Sequence, residues 1–309
     1  VSNLMLMFYD CHKKIDQKGS EDRYPADLLI SWKMQHEQRI EILTGIDPDR
    51  KSNVVLYGAN IGTERSPINY HGCVEAMFPN WYPATEKPVT LSMVSELKDH
   101  SEQYWQAESQ HLTKRFQSKI SSIIEEDSCK HFSLFALAPQ PLLIKLGALL
   151  TDKIDVETYQ LHREPKGWFW QDCSDDFEYI INRPQNMEGK PALVLSLSDH
   201  VSHERITRVI GPDTSIWEVT IKQPHNDFMQ SKQQLSLFRK CIRKLIVEIK
   251  NTHGDATPLQ IFPVMPVSCA VELGRARMPK ADMPWLIYDH DIKTQQFVMA
   301  VELRGDLHE

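Results

Sequence analysis

His131-Phe132-Ser133-Leu134-Phe135-Ala136-Leu137-Ala138-Pro139-Gln140-Pro141-Leu142-Leu143 sets the architecture of this chain. The apolar run 131–137 reads as a fully buried strand, Ala138-Pro139-Gln140-Pro141 as a loop, and Leu142 to Leu150 as a helix. The same syllable stands at Val54–Tyr57, the loop Gly58–Thr63, and a helix opened by Ser66-Pro67 that reaches Met77. It returns at Ala192–Leu195, Ser196–Asp199 and His203–Ile210, followed by a strand over 216–221. A fourth copy is Leu259–Phe262, Pro263–Pro266 and Ser268–Arg277, and strands at Trp285–Tyr288 and Phe297–Leu303 close the series. Alternating strands and helices imply right-handed βαβ units. The fold class is therefore α/β, Rossmann-like and internally duplicated, with mostly parallel sheets.

Two longer helices complete this outline. One is expected over 97–124, with Trp105, Leu112, Phe116, Ile120 and Ile123 on one stripe. The other spans 235–250, with Leu235, Phe238, Cys241, Ile242, Leu245, Ile246 and Ile249 inward. Its outer residues Arg239, Lys240, Arg243 and Lys244 read as a solvated stripe.

In such sheets ligands lie outside the carboxyl ends of the strands. The loops to watch are 58–65, 138–141, 196–199 and 263–268. None carries GxGxxG or GxxxxGK[ST], and there is no GxSxG elbow, so nicotinamide, P-loop and hydrolase readings lack their signatures. The chain has 309 residues, with 35 Lys+Arg against 42 Asp+Glu and a formal charge of −7. That balance argues against a whole-surface grip on nucleic acid but leaves room for a small enclosed anion site. No apolar run reaches the roughly 18 residues of a membrane span. Six cysteines lack metal-knuckle spacing, which favours reduced thiols and an intracellular, cytoplasmic setting.

The run 131–143, continued through Leu146-Gly147, Tyr159-Gln160-Leu161-His162-Arg163 and Trp168-Phe169-Trp170, is joined by a second motif at Phe262-Pro263-Val264-Met265-Pro266-Val267-Ser268-Cys269-Ala270-Val271-Glu272-Leu273-Gly274-Arg275. Together they closely resemble the SAVED domain, the sensor module of bacterial cyclic-oligonucleotide anti-phage signalling (CBASS). The resemblance covers about residues 52–305 and implies two fused CARF-like Rossmann-type halves. It implies as ligand a cyclic dinucleotide of the GMP–AMP kind, which promotes a homo-oligomer, a tetramer being one arrangement.

Such a ligand offers phosphates, two base faces and base edges, and calls for cations, N–H donors, flat side chains and amides. Asn60 and Arg65 supply an amide and a cation in the first loop, where Asn also simply shapes turns. Pro139 and Gln140 stiffen a helix start, a natural anion position. Gln160 and Arg163 follow a strand, and Trp168 and Trp170 are candidate base-stacking platforms, core packing being the competing use of aromatic residues. Ser196, Ser198, Pro266 and Ser268 end strands or begin helices, where phosphate contact competes with turn formation and capping. Arg275 reads as structural, paired with Glu272 at i,i+3 spacing.

Residues 1–50 form a separate piece: an apolar opening, Cys11-His12-Lys13-Lys14-Ile15-Asp16, and a helix with Leu29, Trp32, His36, Ile40 and Leu43 on one face. This piece resembles the closing part of an HNH endonuclease domain, a ββα-metal unit. The resemblance makes Asn3 the residue orienting the catalytic His, and His12 the final His that helps hold Mg²⁺. Phe8 stands where many such tails place a Cys, so no structural zinc is implied, and Cys11 reads as a buried thiol. By the same resemblance, the half carrying the catalytic His is expected to be missing from these residues. The expectation is a ligand sensor over 51–309 behind a nuclease remnant at 1–50, inactive as it stands. The intact effector would cut double-stranded DNA and has no membrane partner. The alternatives are a sensor of a larger cyclic tri- or tetranucleotide, a Rossmann-like enzyme of small-molecule metabolism, and a purely structural assembly module.

Overall fold

The apolar runs form strands because each is covered on both faces, the condition that selects continuous hydrophobic stretches over alternating ones. In a computed structural model, the described residues are 7–47, 49–59, 68–92, 101–126, 129–172, 177–291, 294–305 and 307. They divide into two compact units, 1–50 with 78–82, and 51–77 with 83–309.

In the first unit Tyr9–Ile15 (α1) and Ala26–Thr44 (α2) are helices. On α2, Trp32 and Ile40 are exposed and His36 lies 3.2 Å from the Arg39 guanidinium. The side chain of Leu43 lies outside the described residues. Among the described residues of this unit Ile46 alone is buried, because a helix without an opposing apolar layer has nothing to bury its stripe against. Cys11, expected inside, is exposed for the same reason.

The second unit begins with Lys51–Gly58 (β1), Tyr70–Met77 (α3), Tyr82–Pro83 (β2), Val89–Thr90 (β3) and Glu102–Phe116 (α4). A π-turn at Gln117–Ser121 leads into Ser122–Glu126 (α5), so the single long helix expected here is interrupted. Its stripe holds nonetheless, with Trp105, Leu112, Phe116 and Ile120 all buried. Then follow His131–Leu137 (β4), Gln140–Leu150 (α6), Asp155–Thr158 (β5), Ile180–Asn182 (β6), Lys190–Ser196 (β7), His203–Ile210 (α7) and Thr214–Thr220 (β8). Lys232–His253 (α8), Leu259–Val264 (β9), Val267–Ala276 (α9), Trp285–Asp291 (β10) and Gln296–Leu303 (β11) complete the chain.

Two sheets result, ordered β2-β1-β4-β5, with β3 also on β1, and β11-β10-β9-β7-β8-β6. The pairs β1–β4, β4–β5, β7–β8, β7–β9 and β9–β10 are parallel, while β10–β11 and β6–β8 are antiparallel. The architecture is duplicated, mostly parallel α/β, as the repeated strand–loop–helix pattern predicts. Helices α6 and α9, the equivalent helices of the two halves, cross in direct backbone contact at Gly147 and Gly274. Helix α8 starts with a capping box between Ser231 and Gln234 and buries Leu235, Phe238, Ile242, Leu245, Ile246 and Ile249.

A buried ionic knot ties these helices together. The Glu272 carboxylate, 2% exposed, accepts from the Thr158 hydroxyl (2.7 Å) and from Arg239 Nε (2.7 Å), and Arg275 reaches it at 3.3 Å. Arg275 also donates to the carbonyls of Thr151, Ile154 and Val156. The i,i+3 pairing read from the sequence is present. Arg239, expected in a solvated stripe, is instead held by Glu272, and Arg243 lies 3.5 Å from Asp152. Among the described residues no helix is long and apolar enough to cross a membrane.

Candidate functional site

The two equivalent strand–helix joints meet at one end of the second unit. Pro139 and Pro266 occupy the N-cap positions of α6 and α9 in extended conformation, as helix-starting prolines favour. The β9–α9 joint is braced by two glutamines from the first half. Gln140 Oε1 accepts from the Met265 N–H (3.2 Å). Gln160 Oε1 accepts from the Ser268 N–H (3.2 Å) and hydroxyl (2.7 Å), while its Nε2 donates to the Leu161 carbonyl (2.8 Å). The turn after β7 is pinned to the same place, since the N–H groups of Leu197 and Ser198 both donate to the Val264 carbonyl.

A cleft of about 420 Å³ opens between these joints. Leu137, Met265, Pro266 and Val267 line its apolar part, and Ser198, Asn226 and Asp227 its polar rim. Gln160, Leu161, His162, Arg163 and Lys166 form the remaining wall. That wall is a tight loop closed by the His162–Gly167 bridge, with N–H···O distances of 2.8 and 3.3 Å, which turns Arg163 and Lys166 outward. Asp227 Oδ1 accepts from the Arg163 main-chain N–H (3.2 Å) and anchors the loop.

His162 differs from its neighbours. It is 2% exposed, and its Nε2 has no hydrogen-bond partner among the described residues. Burial pulls its pKa below the ordinary histidine value, with Asp227 acting weakly against that, so the ring is neutral at pH 7. The Trp170 ring packs edge-on at 6.0 Å between centroids, and its Nε1 is likewise buried without a partner. A buried polar atom left unpaired costs about 1–3 kcal/mol, so such a pair marks a place where another polar group belongs.

The sequence-derived candidates separate clearly. Gln160, Arg163, Ser198 and Pro266 line the cleft; Pro139 and Gln140 frame it. Three expected ligand contacts are corrected. Trp168 is 5% exposed and stands edge-on to Phe135 (5.2 Å, 89°), inside the packing. Ser196 is buried, its hydroxyl donating to Glu218 Oε1 (2.7 Å), and Ser268 is fully engaged by Gln160. Trp170 is half-buried against the core and is not among the cleft-lining residues. Asn3, Asn60 and Arg65 lie outside the described residues. His12 is exposed on α1, 3.1 Å from Asp16.

His162 was read beside Gln160 and Arg163 after the strand but without a role of its own, and Lys166, Asn226 and Asp227 were missed. His162 had one legible signal: in an extended run it alternates with Leu161 and Arg163, and so shares a face with Gln160. Asn226 and Asp227 come from a loop without periodicity, and only the fold brings them to the cleft. A second cavity, about 690 Å³, lies beside Phe177, Ile221 and Phe228 and away from both helix starts.

A duplicated Rossmann-type frame with a cleft at its strand ends and helix starts defines a two-lobed ligand-binding module. The chain belongs to the SAVED family, the SMODS-associated and fused to various effectors sensor domain, whose family model matches residues 112–303. Its fold is similar to the Acinetobacter baumannii Cap4 SAVED/CARF-domain containing receptor with the cyclic trinucleotide 2'3'3'-cAAA (12% identity, TM-score 0.52). The same receptor with 3'3'3'-cAAA matches at 14% identity and TM-score 0.52. Each match covers 98% of this chain and 63% of the receptor, so this chain spans under two thirds of the receptors' length. A search of curated proteins found no match.

Proposed function

We propose that this chain is the sensing part of an anti-phage (CBASS) effector and that its cleft receives a cyclic oligonucleotide. The observation that carries this reading is a single cleft, shared by both halves, that combines an unpaired buried imidazole, two cations and the start of α9. Arg163, Lys166 and the positive end of the α9 dipole suit phosphates. The amide and imidazole groups suit base edges. Because Gln140 and Gln160 already brace one half on the other, a ligand seated between the joints stiffens both at once.

The ligand we propose first is a cyclic dinucleotide. A cyclic trinucleotide is the second reading, favoured by the ligands named for the two Acinetobacter receptors. Isothermal titration of the chain with cyclic di- and triadenylate and cyclic GMP–AMP tests both. Saturable 1:1 binding by any of them is expected, and no heat from all three overturns the reading.

For the intact protein we propose a cytoplasmic HNH endonuclease acting on double-stranded DNA, activated through ligand-promoted homo-oligomerisation. The support is the resemblance of residues 3–37 to the end of such a domain. The described residues do not fit a Mg²⁺ site. His12 and Asp16 are both well exposed along one helix, and among the described residues no group of three or more His, Cys, Asp or Glu is placed to hold a metal ion. Incubation of this chain with plasmid DNA and Mg²⁺ should leave the DNA intact, whereas His12-dependent cleavage would show a complete nuclease.

A further inference from the structure

We propose that His162 Nε2 accepts a hydrogen bond from the exocyclic amine of a base in the bound ligand, so that this side chain reads base chemistry while phosphate is left to Arg163 and Lys166. The inference rests on the reading of the cleft as a cyclic-oligonucleotide site, and adds to it which atom distinguishes one base from another.

Three observations carry it. The first is burial: His162 lines the cleft yet is 2% exposed, so its side chain cannot exchange a lost partner for bulk water. The second is the missing partner. Nε2 is unpaired, although neighbouring Gln160 and Ser268 use their side-chain groups on each other. The third is charge. The charged residues lining the same cleft are Arg163 and Lys166 from its own loop and Asp227 from the loop after β8. Burial disfavours a positive charge on the ring, with Asp227 acting in the opposite direction. A neutral imidazole is a poor phosphate partner beside two permanent cations. It is a good acceptor for an N–H of adenine, guanine or cytosine, and has nothing to accept from uracil at the corresponding position. The Trp170 ring packed against His162 fixes its plane.

The test uses cyclic triadenylate, cyclic di-AMP and cyclic tri-uridylate, titrated into the chain between pH 5 and 8. Amine-bearing ligands should bind more tightly than cyclic tri-uridylate by about tenfold, the equivalent of one unpaired buried group. Their affinity should fall as the pH drops through the His162 pKa, below about 6.5, because the protonated ring no longer accepts. His162→Phe should remove about tenfold in affinity and the acid limb together. His162→Gln keeps an acceptor and should bind at nearly wild-type strength without the acid limb, with a melting temperature showing that both variants fold. Binding that strengthens on acidification would assign His162 to phosphate and overturn the inference while leaving the cleft as the ligand site. Equal affinity for cyclic tri-uridylate would do the same. If none of the three ligands binds the wild-type chain, the reading of the cleft itself fails.

Discussion

Gly147 and Gly274 face each other across the α6–α9 crossing, each filling the space where a side chain on the other helix would begin. A Cβ built on Gly147 would lie 2.0 Å from the Val271 carbonyl oxygen, and one on Gly274 would lie 1.9 Å from the Ile144 carbonyl oxygen. These clashes are with backbone, so no rotamer change relieves them. The two halves are joined by helices that touch main chain to main chain, and the cleft is mounted at the start of both.

Gly147→Ala or Gly274→Ala must therefore push α6 and α9 apart. Each should lower stability by about 2–3 kcal/mol, the range for overpacking a closed core. The double variant should lose less than the sum, because the first substitution already opens the gap the second needs. Urea denaturation followed by circular dichroism measures all three. Near-wild-type stability in either single variant would contradict the crossing.

Arg275→Ala should destabilise by about 3–5 kcal/mol, since it leaves Glu272 buried with one guanidinium fewer and strips the carbonyls of Thr151, Ile154 and Val156 of their donor. Arg275→Lys should recover little of this, because a point ammonium cannot span several acceptors at once. Chemical denaturation of the two variants decides it.

Substitutions at the cleft should split binding from folding. Arg163→Ala is expected to weaken cyclic-oligonucleotide binding about tenfold and to reduce its salt dependence, with the melting temperature unchanged, since the side chain is exposed. Trp168→Ala should instead cost about 3–5 kcal/mol of stability by emptying the space against Phe135. Calorimetric titration beside thermal melting separates the two outcomes.

Ser196→Ala should lower stability by about 1–2 kcal/mol without changing ligand affinity, because its hydroxyl serves Glu218. Burial raises the Glu218 pKa, but hydrogen bonds from Ser196 and Asn182 and the nearby His203 outweigh it, so the net shift is downward. A carboxylate with a depressed folded pKa stabilises above its unfolded value, and that contribution is lost as pH falls through the folded pKa. The difference between Ser196→Ala and wild type should accordingly be full at pH 7 and shrink below about pH 4.

Lys145 should show a slope of the same sign, displaced to alkaline pH. Burial lowers its pKa from 10.5 to about 8 while its ammonium donates to the Ser109 hydroxyl (2.6 Å). Between those values the unfolded chain binds more protons, so stability rises with pH there. Lys145→Met should remove that rise and raise stability at pH 7 by about 1 kcal/mol, allowing for partial contact with water. Denaturation midpoints at pH 7 and 10 provide the comparison.

The strands and joints of the second unit were legible because burial on both faces leaves an uninterrupted apolar run, and proline marks where the following helix starts. The Arg275–Glu272 pair was legible because helical spacing alone brings i and i+3 together. Side-chain destinations were not. Ser196 and Ser268 have the same local grammar as a phosphate-binding turn, and their use is decided by Glu218 and Gln160, which are distant in sequence. Trp168 sits two residues before Trp170 in a segment whose path no periodicity fixes. The π-turn in the helix after α4 leaves no compositional mark, and Arg239, its side chain still partly exposed, is drawn from the solvated stripe only because α9 delivers the buried Glu272 to it.

The helix crossing also bears on how such a receptor can vary between lineages. At both glycines an added side chain would meet the opposite helix's backbone, so neither position can gain one without moving the crossing. The loop over 163–166 and the residues around 226, in contrast, are largely solvated and can be exchanged one at a time. Residues at the cleft rim can thus change while the helix crossing beneath them is kept.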